Sequence, residues 1–164
     1  MDALAVPHPQ IGTSFRAAMR GVASTVTIVT ASDGSRHHGM TMTAVSSLSM
    51  EPPSMVICVN RSTLLHDVLV CARHFCVNVL KHDQAEVSAA FSGASSPEVR
   101  FSVGDWLTHA GGMHYLASAQ ANIVCRKVAA IPFGTHTLFI GNADDVMLGG
   151  DDARPLLYRN AAYC

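Results

Sequence analysis

The sequence predicts a mainly β fold, a largely antiparallel β-barrel with flanking helices. About six or seven segments rich in β-branched residues outnumber roughly three short segments with helical periodicity. The strands do not alternate regularly with helices, and none leads into a Gly-x-Gly-x-x-Gly turn, so a doubly wound nucleotide-binding sheet is not expected. The 164 residues suit one domain with its own core.

The composition excludes several classes of partner. Eleven basic and twelve acidic residues nearly cancel, and only 14% of residues are charged, so no basic field attracts nucleic acid. No apolar run approaches the roughly 20 residues needed to span a bilayer, and the N-terminus lacks the basic region of a secretory signal. We therefore expect a cytoplasmic protein without membrane contact. With 49% hydrophobic residues, the chain is expected to hide surface in a homodimer.

The first elements are an arm, a helix and two strands. Residues 1–12 are expected to form a loose N-terminal arm, which leaves residues 13–164 as the folded domain. Thr13 or Ser14 would cap a short helix. Residues 25–31 read as a strand, Ser32-Asp33-Gly34 as a turn, and a second strand starts near Arg36. The helix prediction rests on apolar residues at helical spacing, namely Phe15, Ala18, Met19 and Val22.

The middle of the chain alternates short strands and helices. Residues 55–59 are predicted to be a buried strand, followed by a helix that Ser62 caps, and residues 75–80 form another strand. Asp83 and Glu86 resemble a capping box that opens a helix carrying Phe91. Residues 93–106 are polar and irregular. Residues 119–130 and 135–146 read as long strands joined by a turn at 131–134, and residues 155–158 add a short final segment.

The segment Gly39–Ser49 (GMTMTAVSSLS) is rich in small hydroxyl residues and has no charged side chain. Glycine, alanine and serine allow a flat ligand to approach the backbone closely. Amides and hydroxyls can then bind the carbonyls and ring nitrogens along the polar edge of a flavin, and amides near N1 and O2 would stabilise charge that builds there on reduction. Composition alone favours the other interpretation, a barrel strand whose serines and threonines face water.

The segment Asn60-Arg61-Ser62-Thr63 lies between a predicted strand and a helix start. The free amides and the dipole of a helix N-terminus attract anions. Arg61 adds a charge-assisted contact, and the two hydroxyls add further donors. The segment is therefore a candidate phosphate site, although an ordinary capped helix with a surface arginine has the same pattern.

In combination these segments resemble the short-chain flavin reductases of two-component flavin-dependent monooxygenases. GMTMTAVSSLSMEPPSMVICVNRST carries the first block of that resemblance. Three further blocks follow in the same order, covering about residues 13–163; they are FCVNVL from Phe75, GTHTLFIG from Gly134 and PLLY from Pro155.

The resemblance implies an FMN-binding, Greek-key-like split β-barrel, a homodimer, and reduction of FMN or FAD by NADH or NADPH. Hydride would pass from nicotinamide C4 to flavin N5, and reduced flavin would diffuse to a monooxygenase. NADH is favoured over NADPH. Carried over by position, His136 would position the nicotinamide or the flavin. The cofactor-binding residues would be Thr41, Thr43, Ala44, Ser46 and Ser47 at the ring, Asn60, Arg61 and Ser62 at the ribityl chain and phosphate, and Phe91 and Tyr158 beside the pocket.

One departure from the family pattern is Thr135, where relatives usually carry Asp before the histidine. It puts nicotinamide affinity in question and motivates a competing hypothesis, a flavin-binding or electron-transfer protein without reductase activity. An oxidase resembling pyridoxamine-phosphate oxidase and a purely structural barrel compete with it as well. Tyr158 could equally be a core residue or touch flavin from the partner subunit.

Other chemistries find little support in the sequence. The adjacent His37 and His38 would point to opposite faces of a strand, and no histidine pair has metal-ligand spacing with a third partner. Ser47 lacks the Gly-x-Ser-x-Gly context of a hydrolase nucleophile. The five cysteines form no Cys-x-x-Cys pair, and we expect reduced thiols rather than disulfides or a zinc site.

Overall fold

The computed structural model describes residues 9–94, 96–150 and 154–164. Strands dominate the described residues, which agrees with the predicted mainly β class. The helices are α1 (Pro9–Arg20), α2 (Leu64–Cys71), α3 (Ala85–Ala89) and α4 (Pro97–Arg100). The strands are β1 (Ser24–Thr25), β2 (Thr27–Ser32), β3 (His37–Met42), β4 (Val45–Met50), β5 (Pro53–Asn60), β6 (His74–Val79), β7 (Trp106–Thr108), β8 (His114–Leu116), β9 (Ala121–Phe133), β10 (His136–Leu148), β11 (Leu157–Arg159) and β12 (Ala162–Tyr163).

Seven strands form one antiparallel sheet in the order β3-β2-β6-β9-β10-β5-β4. Its two edge strands, β3 and β4, follow each other in the chain with only Thr43 and Ala44 between them. The sheet must therefore curl until its edges meet at this link, yet no ladder joins β3 to β4 within the described sheet. The result is a split barrel that stays open between β3 and β4.

The core lies on both faces of this sheet. On one face, Leu65, Val68 and Leu69 of α2 pack against buried residues of six strands, among them Phe75 and Phe139. Phe91, Leu116 and their neighbours form a second cluster on the opposite face. Burial of these fully enclosed side chains stabilises the fold by about 1.5–3 kcal/mol each. The core thus fixes the strand ends that carry the candidate site.

The fully buried Asn78 ties the second cluster to the sheet. Its Nδ2 donates to the carbonyl oxygen of Ile28 at 2.8 Å, and its Oδ1 accepts from the amide of Leu116 at 2.8 Å. Because a buried amide without partners is costly, only a side chain with a donor and an acceptor at this spacing suits the position. A small hairpin of β7 and β8 is thereby held over β2.

The helix starts differ from the predicted ones. Helix α1 begins at Pro9, so Thr13 and Ser14 lie inside it and do not cap it, and the boundary expected after residue 12 falls within a helix. Proline suits a first helical position because its missing N–H has no partner there. The remainder of the predicted arm, residues 1–8, lies outside the described residues.

Two predicted caps are also wrong. Thr63, not Ser62, caps α2, and its Oγ1 accepts from the amide of His66 at 3.3 Å. Gln84, not Asp83, holds the cap position of α3, and it makes no side-chain capping bond there. Its Oε1 instead accepts from the Lys81 amide at 2.8 Å, so the predicted capping box does not form.

The β9–β10 hairpin is tighter than predicted. The strands pair as far as Phe133 and His136, so Gly134 and Thr135 alone form the loop and Pro132 lies in a strand. Gly134, with φ of 55°, takes the first loop position, where a type II′ hairpin needs positive φ. Beyond Arg126, β9 pairs only with β10, and a strand with one free edge tolerates proline.

Other local predictions are confirmed. Asp33 Oδ1 accepts from the amides of Ser35 and Arg36 at 2.9 and 2.8 Å, and Gly34 has φ of 93°, so the turn lies where it was predicted. Residues 93–106 were expected to be irregular and are so only in part, because they include the end of a π-type turn over Ala90–Ala94, the short α4 and the first residue of β7. Within the parts of the chain that the structure describes, no helix has the length and apolar character to cross a membrane.

Candidate functional site

The link between β3 and β4 and the outer edge of β4 are exposed to solvent. Thr43, Ala44, Ser46 and Ser47 are all exposed. Since β4 pairs only with β5, every second amide along its free edge has no ladder partner. Cys58 N donates to the Ala44 carbonyl at 2.9 Å, which fastens the link to β5. The predicted ring-binding residues therefore surround an exposed strand edge with free amides.

A cavity of about 450 Å³, here the tyrosine cavity, lies beside this link. Thr41 and Thr43 line one side, and Tyr158 and Tyr163 of the C-terminal hairpin line the other. The two tyrosine rings meet edge to face with centroids 5.7 Å apart. Tyr158 is 38% exposed and lines this cavity, so it is not a core residue, which was one of the two roles that the sequence left open.

Hydrogen bonds around Ser88 hold this cavity together. Its hydroxyl bonds to the hydroxyl of Tyr163 at 2.8 Å, and its carbonyl oxygen accepts from Thr41 Oγ1 at 2.7 Å. Sequence reasoning did not find Tyr163 or Ser88. Only the tertiary structure brings them to Thr41, although an aromatic residue five positions after Tyr158 was a visible signal on a short C-terminal hairpin.

The predicted phosphate segment forms a tight turn after β5. Asn60 Oδ1 accepts from Ser62 N at 3.0 Å and from Ser62 Oγ at 2.9 Å. This use of the Asn60 side chain leaves its Nδ2 for other contacts. Arg61 is exposed, and its amide donates to the Thr135 carbonyl at 2.9 Å. The turn thus joins the β9–β10 hairpin loop to the start of α2.

His136 lies directly opposite Asn60 in the β5–β10 ladder. Its Nδ1 is 2.9 Å from Thr135 Oγ1, so the residue that replaces the usual Asp still contacts the imidazole. A hydroxyl can orient the ring, but it brings no negative charge to it. His136, Arg61 and Ser62 therefore form one cluster, adjoining the β3–β4 link through β5.

Phe91 occupies a different position from its neighbours in the predicted site. Its side chain is fully buried and packs against Phe101 and Trp106, with ring centroids 5.1 and 4.9 Å away. One edge of it lines a second cavity of about 320 Å³, together with Thr41 and Thr63. Phe91 thus supports β3 from below, and a ligand could touch it only along that edge.

His38 and Arg100 share this second cavity. Arg100 Nη1 donates to the Gly39 carbonyl at 3.0 Å and lies 3.3 Å from His38 Nε2. Burial, and secondly the Arg100 charge, lower the pKa of His38. The imidazole is therefore neutral near pH 7, and the guanidinium carries the positive charge at this end of the site.

Charge around the site has one sign. The described residues that line the tyrosine cavity and the second cavity include no Asp or Glu, and Arg100 is among them. Arg61 adds another guanidinium at the phosphate turn. An acid-free surface with free amides and hydroxyls suits a flat, polar-edged ring that carries phosphate. The residues present therefore fit a flavin nucleotide.

An open split barrel with an exposed, acid-free strand edge at Thr43 and Ala44, here called the cradle, is a type of fold and site found in flavin-binding enzymes. The chain belongs to the flavin reductase like domain family, which it matches over residues 19–164. This match confirms the family resemblance of the sequence.

Named relatives agree with this assignment. The reductase component of an FADH(2)-dependent resorcinol hydroxylase from Rhizobium sp. (strain MTP-10005) is 51% identical, over 94% of this chain and 87% of that protein. An NADH:riboflavin 5'-phosphate oxidoreductase from Streptomyces pristinaespiralis is 34% identical, over 92% and 86%. The solved structure of an NADH:FAD oxidoreductase from Streptomyces globisporus C-1027, in complex with NAD and FAD fragments, is similar with a TM-score of 0.87 and 26% identity, covering 97% of this chain and 94% of that one.

Proposed function

We propose that this protein is an NADH-dependent flavin reductase that reduces FAD or FMN and releases it to a separate flavin-dependent monooxygenase. The observation that carries the proposal is the exposed, acid-free strand edge at Thr43 and Ala44, in a chain 51% identical to a hydroxylase reductase component. Because that relative's partner is FADH(2)-dependent by name, FAD is the flavin to test first.

Each cluster has a separate task in this proposal. Hydride transfer from nicotinamide C4 to flavin N5 is the chemistry that the bound nucleotides supply. The amides beside Ala44, Ser46 and Ser47 bind the pyrimidine edge of the ring. Arg61 and Ser62 hold the phosphate, and Asn60 fixes their turn. His136 positions the nicotinamide, and no residue has to act as a strong acid or base.

The test is to follow the absorbance of reduced nicotinamide while the protein turns over FAD, FMN or riboflavin with NADH or NADPH. We expect NADH oxidation that depends on added flavin. The proposal fails if no combination of flavin and nicotinamide is turned over by protein that is folded and binds flavin in a titration.

A second candidate is a flavin carrier without reductase activity. Thr135 favours the carrier, because its hydroxyl, 2.9 Å from His136 Nδ1, stands where relatives usually carry a carboxylate. The imidazole that would position the nicotinamide therefore lacks a negative partner. Flavin that copurifies tightly and is not reduced by either nicotinamide would support the carrier. The variant Thr135→Asp then tests whether the missing charge is the cause, since it should bring turnover back.

The proposed active form is a homodimer. Ile11 and Phe15 of α1 are 63% and 66% exposed, and they lie on one side of the helix. Its other side, with Thr13, Arg16, Ala17 and Arg20, faces a cavity of the same chain. Since a helix normally buries its apolar side, a second copy is the proposed cover. Light scattering after gel filtration should give twice the chain mass for wild type and less for Phe15→Glu.

The partner and compartment are part of the same proposal. With NADH and flavin, the protein should support the activity of a flavin-dependent hydroxylase when the two are mixed. It should do so also when a dialysis membrane that passes flavin and not protein separates them, because reduced flavin diffuses. Cys58, Cys71, Cys76, Cys125 and Cys164 are all free thiols. They favour a reducing compartment, and we place the reaction in the cytoplasm.

A further inference from the structure

Three arginines converge on a cavity outside the cradle described above. Arg16 and Arg20, four residues apart on α1, lie on the same side of the helix. Arg159 of β11 lines the same cavity of about 860 Å³, here the arginine cavity. The amide of Asn160 donates to the Arg20 carbonyl at 2.8 Å, which fixes the C-terminal hairpin to the helix. Two elements distant in sequence thus direct guanidinium groups to one place.

No acidic side chain of the described residues lies beside these arginines. Among the described residues, no Asp or Glu lines the arginine cavity, and none forms an ion pair with Arg16, Arg20 or Arg159. All three are exposed, so an incoming anion can reach them. Three unpaired cations around one cavity repel each other and favour a ligand with more than one negative charge.

The arginine cavity is continuous with the proposed flavin site. A connecting cavity of about 370 Å³ is lined by the same three arginines at one end and by Thr43 and Tyr158 at the other. Thr43 and Tyr158 in turn line the tyrosine cavity. A single ligand could therefore place a ring at the β3–β4 link and phosphates among the arginines.

We propose that Arg16, Arg20 and Arg159 bind the pyrophosphate of the nicotinamide dinucleotide and so set the affinity for the hydride donor. The inference rests on the proposed function. The flavin phosphate already has a site at Arg61 and Ser62, which the Thr135 carbonyl ties to the β9–β10 hairpin. In FAD, the second phosphate is bonded directly to that phosphate, so the diphosphate of FAD lies at the same turn. The arginine cavity, reached from the link past Tyr158, is left for the second nucleotide.

The test compares the double variant Arg16→Gln/Arg159→Gln with wild type and with the matched control Arg73→Gln, another exposed arginine. At Arg16 on α1, glutamine keeps the helix propensity, and at both positions it removes the charge and leaves a polar amide side chain. One measurement is NAD+ binding to the oxidised protein by calorimetry at several salt concentrations. The other is the KM for NADH at saturating FAD, alongside turnover of 1-benzyl-1,4-dihydronicotinamide, a hydride donor without phosphate.

At about tenfold per charge-assisted contact, the double variant should bind NAD+ roughly a hundredfold more weakly, with a shallower salt dependence. The KM for NADH should rise alike, while the KM for FAD and the rate with the phosphate-free donor stay at wild-type values. Arg73→Gln should match wild type throughout.

Four results would overturn the assignment. Three are unchanged NAD+ binding, a rise in the KM for FAD without one for NADH, and an equal loss with the phosphate-free donor. A larger loss for NADPH than for NADH would move the contact from the pyrophosphate to the 2′-phosphate and would also overturn it. If wild type reduces no flavin, the proposed function fails, yet NAD+ binding still decides whether the arginines hold a dinucleotide.

Discussion

Gly39 supports the candidate site from beneath, and replacing it with alanine gives the most direct test of how β3 is held. Gly39 is buried on β3, two residues before Thr41. A Cβ built there would lie 2.7 and 2.9 Å from two ring carbons of Phe91 and 3.2 Å from Thr30 Cγ2. Carbon atoms attract at roughly 3.5–4.0 Å, so the overlap with the ring is about 1 Å.

The Phe91 ring has little room to move. It packs edge to face on Phe101 and at 44° on Trp106. Overpacking of this kind costs about 1–3 kcal/mol, partly offset by about 0.4–1 kcal/mol from the reduced freedom of the unfolded chain. We therefore expect Gly39→Ala to lower the free energy of unfolding by about 1–2 kcal/mol.

A double-mutant cycle isolates the contact. Phe91→Leu alone leaves a cavity and should lower stability by about 1–2 kcal/mol. The double variant Gly39→Ala/Phe91→Leu should lose less than the sum of the two single losses, by about 1 kcal/mol, because the smaller side chain makes room for the new methyl group.

Urea unfolding at one fixed protein concentration, followed by two probes, measures these differences. The control is Gly12→Ala on α1, where a Cβ meets nothing within 4 Å, and which should be neutral or stabilising. Additive losses in the cycle, or a Gly39→Ala variant as stable as wild type, would refute the overlap.

Three further predictions concern stability and the nicotinamide side. Lys127 Nζ donates to the carbonyls of Leu69 and Val70 at the end of α2, at 2.6 and 2.8 Å. Lys127→Met should therefore lower the free energy of unfolding by about 1–2 kcal/mol. An unchanged midpoint in urea titrations would contradict this prediction. Burial lowers the folded-state pKa of His38, so the His38 imidazole is protonated at a higher pH in the unfolded chain than in the folded one. The free energy of unfolding should therefore fall as the pH drops below about 6.5. His38→Gln should make this fall smaller between about pH 7 and 5. His136→Ala should reduce kcat/KM for NADH about tenfold or more and leave flavin affinity in a fluorescence titration unchanged, whereas a loss confined to flavin binding would move His136 out of the nicotinamide site.

Short-range signals in the sequence predicted most of the strands. The Asp33-Gly34 turn and the strand that carries Asn78 depend on neighbouring residues, and both form where expected. Caps were predicted less well, since Ser62 and Thr63 have equivalent side chains and only the geometry after Asn60 decides between them. The turn expected at 131–134 was wrong because proline signals a break in sequence, and only the pairing of β9 with a single neighbour made Pro132 acceptable in a strand.

The sequence by itself determined the family and proposed the residues of the cradle, because each block is a short run of residues that can be recognised without knowledge of the fold. Only the tertiary structure decided what these blocks face. The curled sheet brings both free edges to Thr43 and Ala44, and pairing across β5 and β10 sets Asn60 opposite His136. The placement of α1 directs Arg16 and Arg20 towards Arg159. Contacts between residues far apart in the chain depend on packing and strand register, which no local pattern encodes.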